Sequence, residues 1–216
     1  MILMPEYEAY GLFSRNGIAV MPCAFAKNIE EACEAAEKIG WPLVAKISSE
    51  DIVHKSDIGG VIVGIANKDE LKTAFKTIIE NAEKAVPGGK HAGILITPLI
   101  KGGIETVIGA GVDPEFGRFI MFGLGGIFVE LYRDVSFRMV PVSEADAREM
   151  IAEVKAAALL SGYRGHDGAN IGALVDLIVG CSRLMEGHEE ICEMDLNPVM
   201  ARKDKAYILD GRVFTK

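Results

Sequence analysis

Lys46 lies within Val44-Ala-Lys-Ile, among residues that otherwise ask for burial. A buried ammonium needs a partner. Lys46 is therefore either a point-charge contact to a phosphate or a strand-end lysine whose head reaches water. Further along, Asp51-Ile-Val-His-Lys-Ser-Asp-Ile-Gly-Gly-Val sets His54 beside Lys55, Ser56 and the paired glycines Gly59 and Gly60. Imidazole titrates near neutrality and can serve as nucleophile or proton shuttle. The adjacent charge and the accessible backbone N–H groups suit a phosphoryl group. The segment matches neither the P-loop nor the dinucleotide fingerprint, because no helix follows a GxGxxG run. An exposed loop histidine with no role is the plain alternative.

Three further segments carry candidate groups. Ile96-Thr-Pro-Leu-Ile joins two strand-like runs and can present backbone groups to the edge of a purine; Lys101-Gly-Gly-Ile then leads into Glu105. Gly123-Leu-Gly-Gly-Ile-Phe-Val-Glu is a glycine-rich turn ending in an acid, with Asp134 and Arg138 soon after. Glycines there permit close approach to a ligand but equally serve a tight turn. In Glu193-Met-Asp-Leu-Asn-Pro, alternation along a strand puts Glu193, Asp195 and Asn197 on one face. Three oxygen-bearing side chains pack poorly but suit Mg²⁺ with bound phosphate, and Asp210 on the neighbouring strand can complete the set. A solvated polar face is the alternative.

The elements that must position these groups follow from periodicity and punctuation. Residues 5–15 read as a helix ending at Asn16-Gly17, and Ile18–Phe25 as a short strand. Asn28 caps a helix over 29–39 that Gly40 ends. Trp41–Ile47 reads as a buried strand with Lys46 at its end, 48–60 as a loop, Val61–Ile65 as a strand and 68–85 as a helix. Short strands follow near 93–97, 104–111, 117–122 and 137–141. A helix over 143–158, capped from Ser143, precedes a loop over 161–168 and a helix over 170–186. Strands over 190–199 and 205–213 close the chain. Alternating α/β elements followed by strand-rich α+β elements predict two lobes with a cleft between them.

Composition narrows the classes. The 216 residues can bury a sizeable core. Half are apolar and a quarter charged, the net charge is −8 and the mean hydropathy +0.23. Acidity argues against a nucleic-acid or anionic-membrane surface as the main partner. No apolar run approaches a membrane span, and the N-terminus has neither the basic region nor the apolar core of a signal peptide. Cys23, Cys33, Cys181 and Cys192 are scattered without a CxxC pair, the pattern of free thiols in a reducing compartment. A cytoplasmic enzyme or binding domain remains.

Taken together, Gly17-Ile-Ala-Val, Gly40-Trp-Pro-Leu-Val-Ala-Lys-Ile, the His-Lys-Ser-Asp-x-Gly-Gly-Val loop, Gly123-Leu-Gly-Gly-Ile-Phe-Val-Glu, Asp134-Val-Ser-Phe-Arg and Asp195-Leu-Asn-Pro resemble the β subunits of ADP-forming acetyl-CoA (acyl-CoA) synthetases, which are ATP-grasp proteins. The resemblance runs over nearly the whole chain. It implies a single ATP-grasp domain over 1–216, with a small lobe at 17–96, a large lobe at 97–216 and the helix 5–15 packed on the latter.

The resemblance also implies roles. Lys46 matches the lysine on the nucleotide phosphates. Gly59, Gly60 and Val61 match the phosphate-covering loop, Thr97, Pro98, Leu99 and Ile100 the adenine-facing hinge, and Glu105 the acid on the ribose. Asn197 and Asp210 match Mg²⁺ ligands, with Asp195 nearby. His54 matches the family's second phosphohistidine, which passes a phosphoryl group from a CoA-binding α subunit to ADP. ATP or ADP and Mg²⁺ are the implied cofactors, and an α2β2 hetero-oligomer the implied assembly. CoA-binding and acyl-phosphate-forming domains are missing, so the chain is expected to be half an enzyme.

Two positions depart from the pattern. Thr97 stands where many relatives carry glutamine, which leaves adenine against guanine open. Gly162-Tyr-Arg-Gly runs into His166-Asp-Gly where relatives often continue Glu-Pro-Pro. Two other readings exist: a free-standing ATP-grasp ligase joining a carboxylate to an amine, against which His54 argues, and a nucleotide-binding regulatory module without turnover.

Overall fold

The computed structural model describes residues 1–126, 129, 131–162 and 167–216. The chain divides into two compact units, one of residues 2–8 and 21–100 and one of residues 1, 9–20 and 101–216. Residues 97–100, expected in the large lobe, group with the smaller unit, and residues 17–20, expected in the small lobe, with the larger.

The smaller unit contains β1 (Ile2–Leu3), the first turn of α1 (Glu6–Arg15), β2 (Ala24–Ala26), α2 (Ile29–Ile39), β3 (Leu43–Ser49), β4 (Val61–Ile65), α3 (Lys68–Ala85) and β5 (His91–Pro98). Four of its strands form an antiparallel sheet in the order β2-β5-β3-β4. Both full helices are capped by asparagine: Asn28 accepts the N–H of Glu31, and Asn67 those of Asp69 and Glu70. Such caps satisfy donors that the first turn leaves open. α2 buries Ala32, Cys33 and Ala36, and α3 buries Leu71, Ala74, Ile78 and Ala82, the i, i+3, i+7 stripe of an amphipathic helix. They pack on Leu43, Ala45 and Ile47 of β3 and Ile94 and Ile96 of β5. Alternation therefore sends Val44, Lys46 and Ser48 to the other face.

In the larger unit, β6 (Ile104–Asp113), β7 (Gly117–Leu124), β8 (Val135–Met139), β9 (Ile191–Ala201), β10 (Ala206–Ile208) and β11 (Gly211–Thr215) accompany α4 (Glu144–Glu153) and α5 (Ile171–Gly187). The antiparallel order is β11-β9-β6-β7-β8, with β10 also on β9. Ser136 of β8 donates to the Met150 carbonyl of α4 at 2.9 Å and is the Cα partner of Phe122, which identifies the helix-covered face. That face carries Ile108, Ala110, Ile120, Phe122, Met194 and Leu196, all buried. The opposite face carries Gly109, Met121 and Asp195, which are Cα partners in one row.

Several elements depart from expectation. Within 18–25, only Ala24–Phe25 join a ladder, in β2; Ile18 is 3% exposed and packs by its side chain against Gly180 instead. The helix expected over 143–158 stops at Glu153, because Val154 is extended and Asp134 accepts the next two N–H groups, of Lys155 and Ala156. The strand expected over 205–213 is broken into β10 and β11 by a turn at Leu209-Asp210. β3 begins two residues later than expected and runs on to Ser49. Among the described residues, no helix is long and apolar enough to cross a membrane. Cys33 and Cys181 are buried, Cys23 and Cys192 half-buried, and all four are free; burial pushes the Cys181 thiol up to about 12.

Candidate nucleotide and phosphoryl-transfer site

The shift of β3 towards Ser49 makes Lys46 an interior residue, 7% exposed, so the strand-end lysine reaching water is excluded. Its ammonium donates to Glu6 Oε1 at 2.8 Å. Lys55, 8% exposed, donates to Glu6 Oε2 at 2.7 Å. Glu6 was missed by sequence reasoning, since an acid in the first turn of a helix normally answers only to the helix dipole.

The loop between β3 and β4 is closed by its own backbone. Gly60 N–H donates to the Lys55 carbonyl at 2.8 Å, and Gly59 N–H to that of Ser56 at 3.1 Å. The Gly60 carbonyl accepts from Ile47, the neighbour of Lys46, at 2.7 Å. A Cβ on Gly60 would lie 2.9 Å from the Lys55 carbonyl oxygen and 2.8 Å from Ile47 Cγ2, so no larger residue closes this turn without a shift. His54 is exposed beside Lys55. Val61, which the pattern puts in a strand and the resemblance in the phosphate-covering loop, is the first residue of β4 and the Cα partner of Lys46. It is already held in the ladder.

Thr97 is 2% exposed and pairs with Val44, which places it on the Lys46 face of the sheet. Pro98 ends β5, and Leu99 continues through an N–H bond to the Pro42 carbonyl at 3.0 Å; Pro98, Leu99 and Ile100 are half-buried. Ser48, also on the Lys46 face, has a fully buried hydroxyl with no hydrogen-bond partner among the described residues. An orphaned donor costs stability unless something accepts from it, and an anionic oxygen is a suitable acceptor.

The larger unit holds the remaining candidates. Glu105 is exposed on β6, and its carbonyl accepts the Gly125 N–H at 2.7 Å. A Cβ on Gly125 would come within 2.9 Å of Glu105 Cβ, so the glycine turn is needed for this close approach. Ile127, Phe128 and Glu130 of that turn, and residues 163–166 of the Gly162-Tyr-Arg-Gly-His segment, lie outside the described residues.

Along β9, exposed Glu193, half-buried Asp195 and exposed Asn197 alternate with buried Met194 and Leu196. A bulge follows, with Val107 of β6 opposing both Asn197 and Pro198. Asp210 sits in the turn before β11 rather than on a strand. Its carbonyl accepts the Asn197 N–H at 3.0 Å, and its carboxylate takes Arg212 Nη2 at 3.2 Å. Arg212 is the Cα partner of Asp195, and its Nε is buried without a partner among the described residues. Burial pushes the Asp195 carboxyl above the ordinary carboxylate range; Arg212 opposes this, and the charges of Asp210 and Glu193 add to it.

A crowded, half-buried acid is what a divalent cation relieves. Mg²⁺ takes one or two carboxylates and completes its shell with water and phosphate oxygens. Asn197, Asp210 and Asp195 fit that demand. Among the described residues no group of three or more His, Cys, Asp and Glu is placed to hold a metal ion by itself.

Residues 2–214 match the ATP-grasp domain family. The chain is 44% identical over 216 residues to the acetate–CoA ligase [ADP-forming] II β subunit of Pyrococcus furiosus, which covers 99% of this chain and 92% of that protein. Acetyl-coenzyme A synthetase 1 of Ca. Korarchaeum cryptofilum, solved with coenzyme A and Ca-AMPCP, matches with a TM-score of 0.96 and 45% identity, covering 100% of this chain and 94% of that one. Another structure of that enzyme, with coenzyme A and Mg-AMPPCP and its phosphohistidine segment pointing towards the nucleotide site, matches at 0.86 and 42%, over 99% and 93%. On full-length similarity at this level, the chain belongs to the ATP-grasp family, among the β subunits of ADP-forming acetate–CoA ligases.

Proposed function

We propose that the chain is the nucleotide-binding β subunit of an ADP-forming acyl-CoA synthetase, catalysing with a CoA-binding partner acyl-CoA + ADP + phosphate ⇌ acid + ATP + CoA. The observation that carries the reading is the match along 92% of an acetate–CoA ligase β subunit. An exposed His54, followed directly by buried Lys55, which shares Glu6 with buried Lys46, supports the same chemistry.

In this reading His54 receives a phosphoryl group from a histidine of the partner, a P–N bond forming on His54 as the donor's P–N bond breaks. The terminal phosphate oxygen of ADP then attacks, the new P–O bond forms, and imidazole leaves. Phosphoimidazole is labile, so the transfer runs near equilibrium. Lys46 holds the nucleotide phosphates and offsets the charge spread over the transferring group, where positioning and electrostatics supply most of the rate. Thr97–Ile100 line the purine, Glu105 takes the ribose, and Gly59–Gly60 cover the phosphates. Bound at Asn197, Asp210 and Asp195, Mg²⁺ supplies charge neutralisation at the phosphates. The assembly is α2β2 and works in the cytoplasm, in keeping with four free cysteines.

The test is phosphoryl transfer from γ-labelled Mg-ATP to this chain, with and without its partner, beside His54→Ala. An acid-labile, base-stable label that the variant lacks is expected. Nucleotide binding without any label would favour the regulatory module.

A further inference from the structure

Glu6 has a side chain only 2% exposed, and no step above uses it. Each of its carboxylate oxygens accepts from a different buried lysine, Lys46 at 2.8 Å and Lys55 at 2.7 Å. Burying charges costs several kcal/mol per ion in desolvation, and an apolar cluster of similar volume packs as well or better. Packing alone therefore gives no reason for an ionic bridge here.

The two lysines come from the two segments whose relation matters most for the transfer. Lys46 is in the middle of β3, and Lys55 follows His54 directly. Beyond Lys55, the loop is fastened a second time to β3, through Ile47 N–H and the Gly60 carbonyl at 2.7 Å. The glutamate bridge and this backbone bond hold the loop at two points, both next to or on Lys46.

We propose that Glu6 is a positioning residue for phosphoryl transfer: its single carboxylate spans Lys46 and Lys55 and so keeps His54 in register with the lysine that meets the nucleotide phosphates. The inference rests on the phosphohistidine reading above. Glu6 touches neither nucleotide nor phosphoryl group; it acts through the two ammonium groups.

The experiment uses the complex with the partner subunit and follows labelling of His54 from γ-labelled Mg-ATP. Glu6→Gln is expected to slow labelling on the order of 100-fold, as a displacement near 1 Å does, while the KM for Mg-ATP rises only about 3-fold. Glu6→Asp keeps the charge but is too short to span both lysines, so an intermediate loss of roughly 10-fold is expected, and it serves if Glu6→Gln fails to fold. In a cycle with Lys55→Met, the double variant is expected to be no slower than the slower single variant. Wild-type rate and KM in a folded Glu6 variant, or losses that multiply in the cycle, overturn the proposal. If the wild-type complex itself takes no label, the phosphohistidine reading fails first and the role of Glu6 with it.

Discussion

Asn197 donates its backbone N–H to the Asp210 carbonyl at 3.0 Å, joining two of the residues proposed to hold Mg²⁺. A second bond, Leu209 N–H to the Pro198 carbonyl at 2.9 Å, fixes the turn from the other side. Both bonds use main chain only, so substituting either side chain leaves them in place, although Asp210→Ala also gives up the Arg212 contact at 3.2 Å. Asn197→Ala and Asp210→Ala are therefore expected to leave the fold intact. They should weaken Mg²⁺-dependent nucleotide binding on the order of 10- to 100-fold, the scale of losses around a metal's ligand shell. Calorimetry with and without Mg²⁺ checks this; an affinity unchanged at low Mg²⁺ would remove these residues from the metal site.

Asp195 predicts a conflict between stability and function. Its carboxyl is raised chiefly by burial, with the charges of Asp210 and Glu193 adding to it. A group raised in the folded state contributes stability that is present below its unfolded pKa and lost as pH rises through the folded one. Metal-free protein should thus lose this contribution on going from acid to neutral pH. Asp195→Asn should remove that loss and raise the metal-free Tm at pH 7 above that of the wild type. The same variant should bind Mg-nucleotide more weakly. A Tm that falls at pH 7 would count against crowding at this acid.

His54 should separate chemistry from binding. Because it is exposed, His54→Ala should change unfolding free energy by no more than about 0.5 kcal/mol. Mg-ADP affinity should stay within about 2-fold, since the proposed function gives the phosphates to Lys46 and the Mg²⁺ ligands, not to His54. ATP formation with the partner should vanish. Loss of both binding and turnover would make His54 a structural residue.

Asp134 should matter for folding instead. It is 7% exposed, and its two oxygens accept from Lys155 N–H at 2.8 Å and Ala156 N–H at 3.0 Å. Asp134→Ala leaves both donors without that acceptor, and hydrogen bonds to a charged group are worth roughly 1.5–3 kcal/mol each. A loss of about 2–4 kcal/mol in urea unfolding is expected, allowing for relaxation and water. A change below about 0.5 kcal/mol would show that the turn after α4 is held by its packing.

The sequence by itself determined what local physics controls. β4 and α3 run over the residues expected, because Asn67 caps one turn and the apolar stripe of α3 has a single period. The Glu193, Asp195, Asn197 face was equally legible, since strand alternation needs no partner to be read. Only tertiary structure decided the surroundings of Lys46. Nothing near it in sequence tells that β3 continues to Ser49, or that its ammonium meets a carboxylate 40 residues away. Likewise, the long helix expected after Ser143 yields to Asp134, which lies just before β8 and competes for the next backbone donors. Periodicity and caps act within a few residues, whereas a buried charge finds its partner only through the fold.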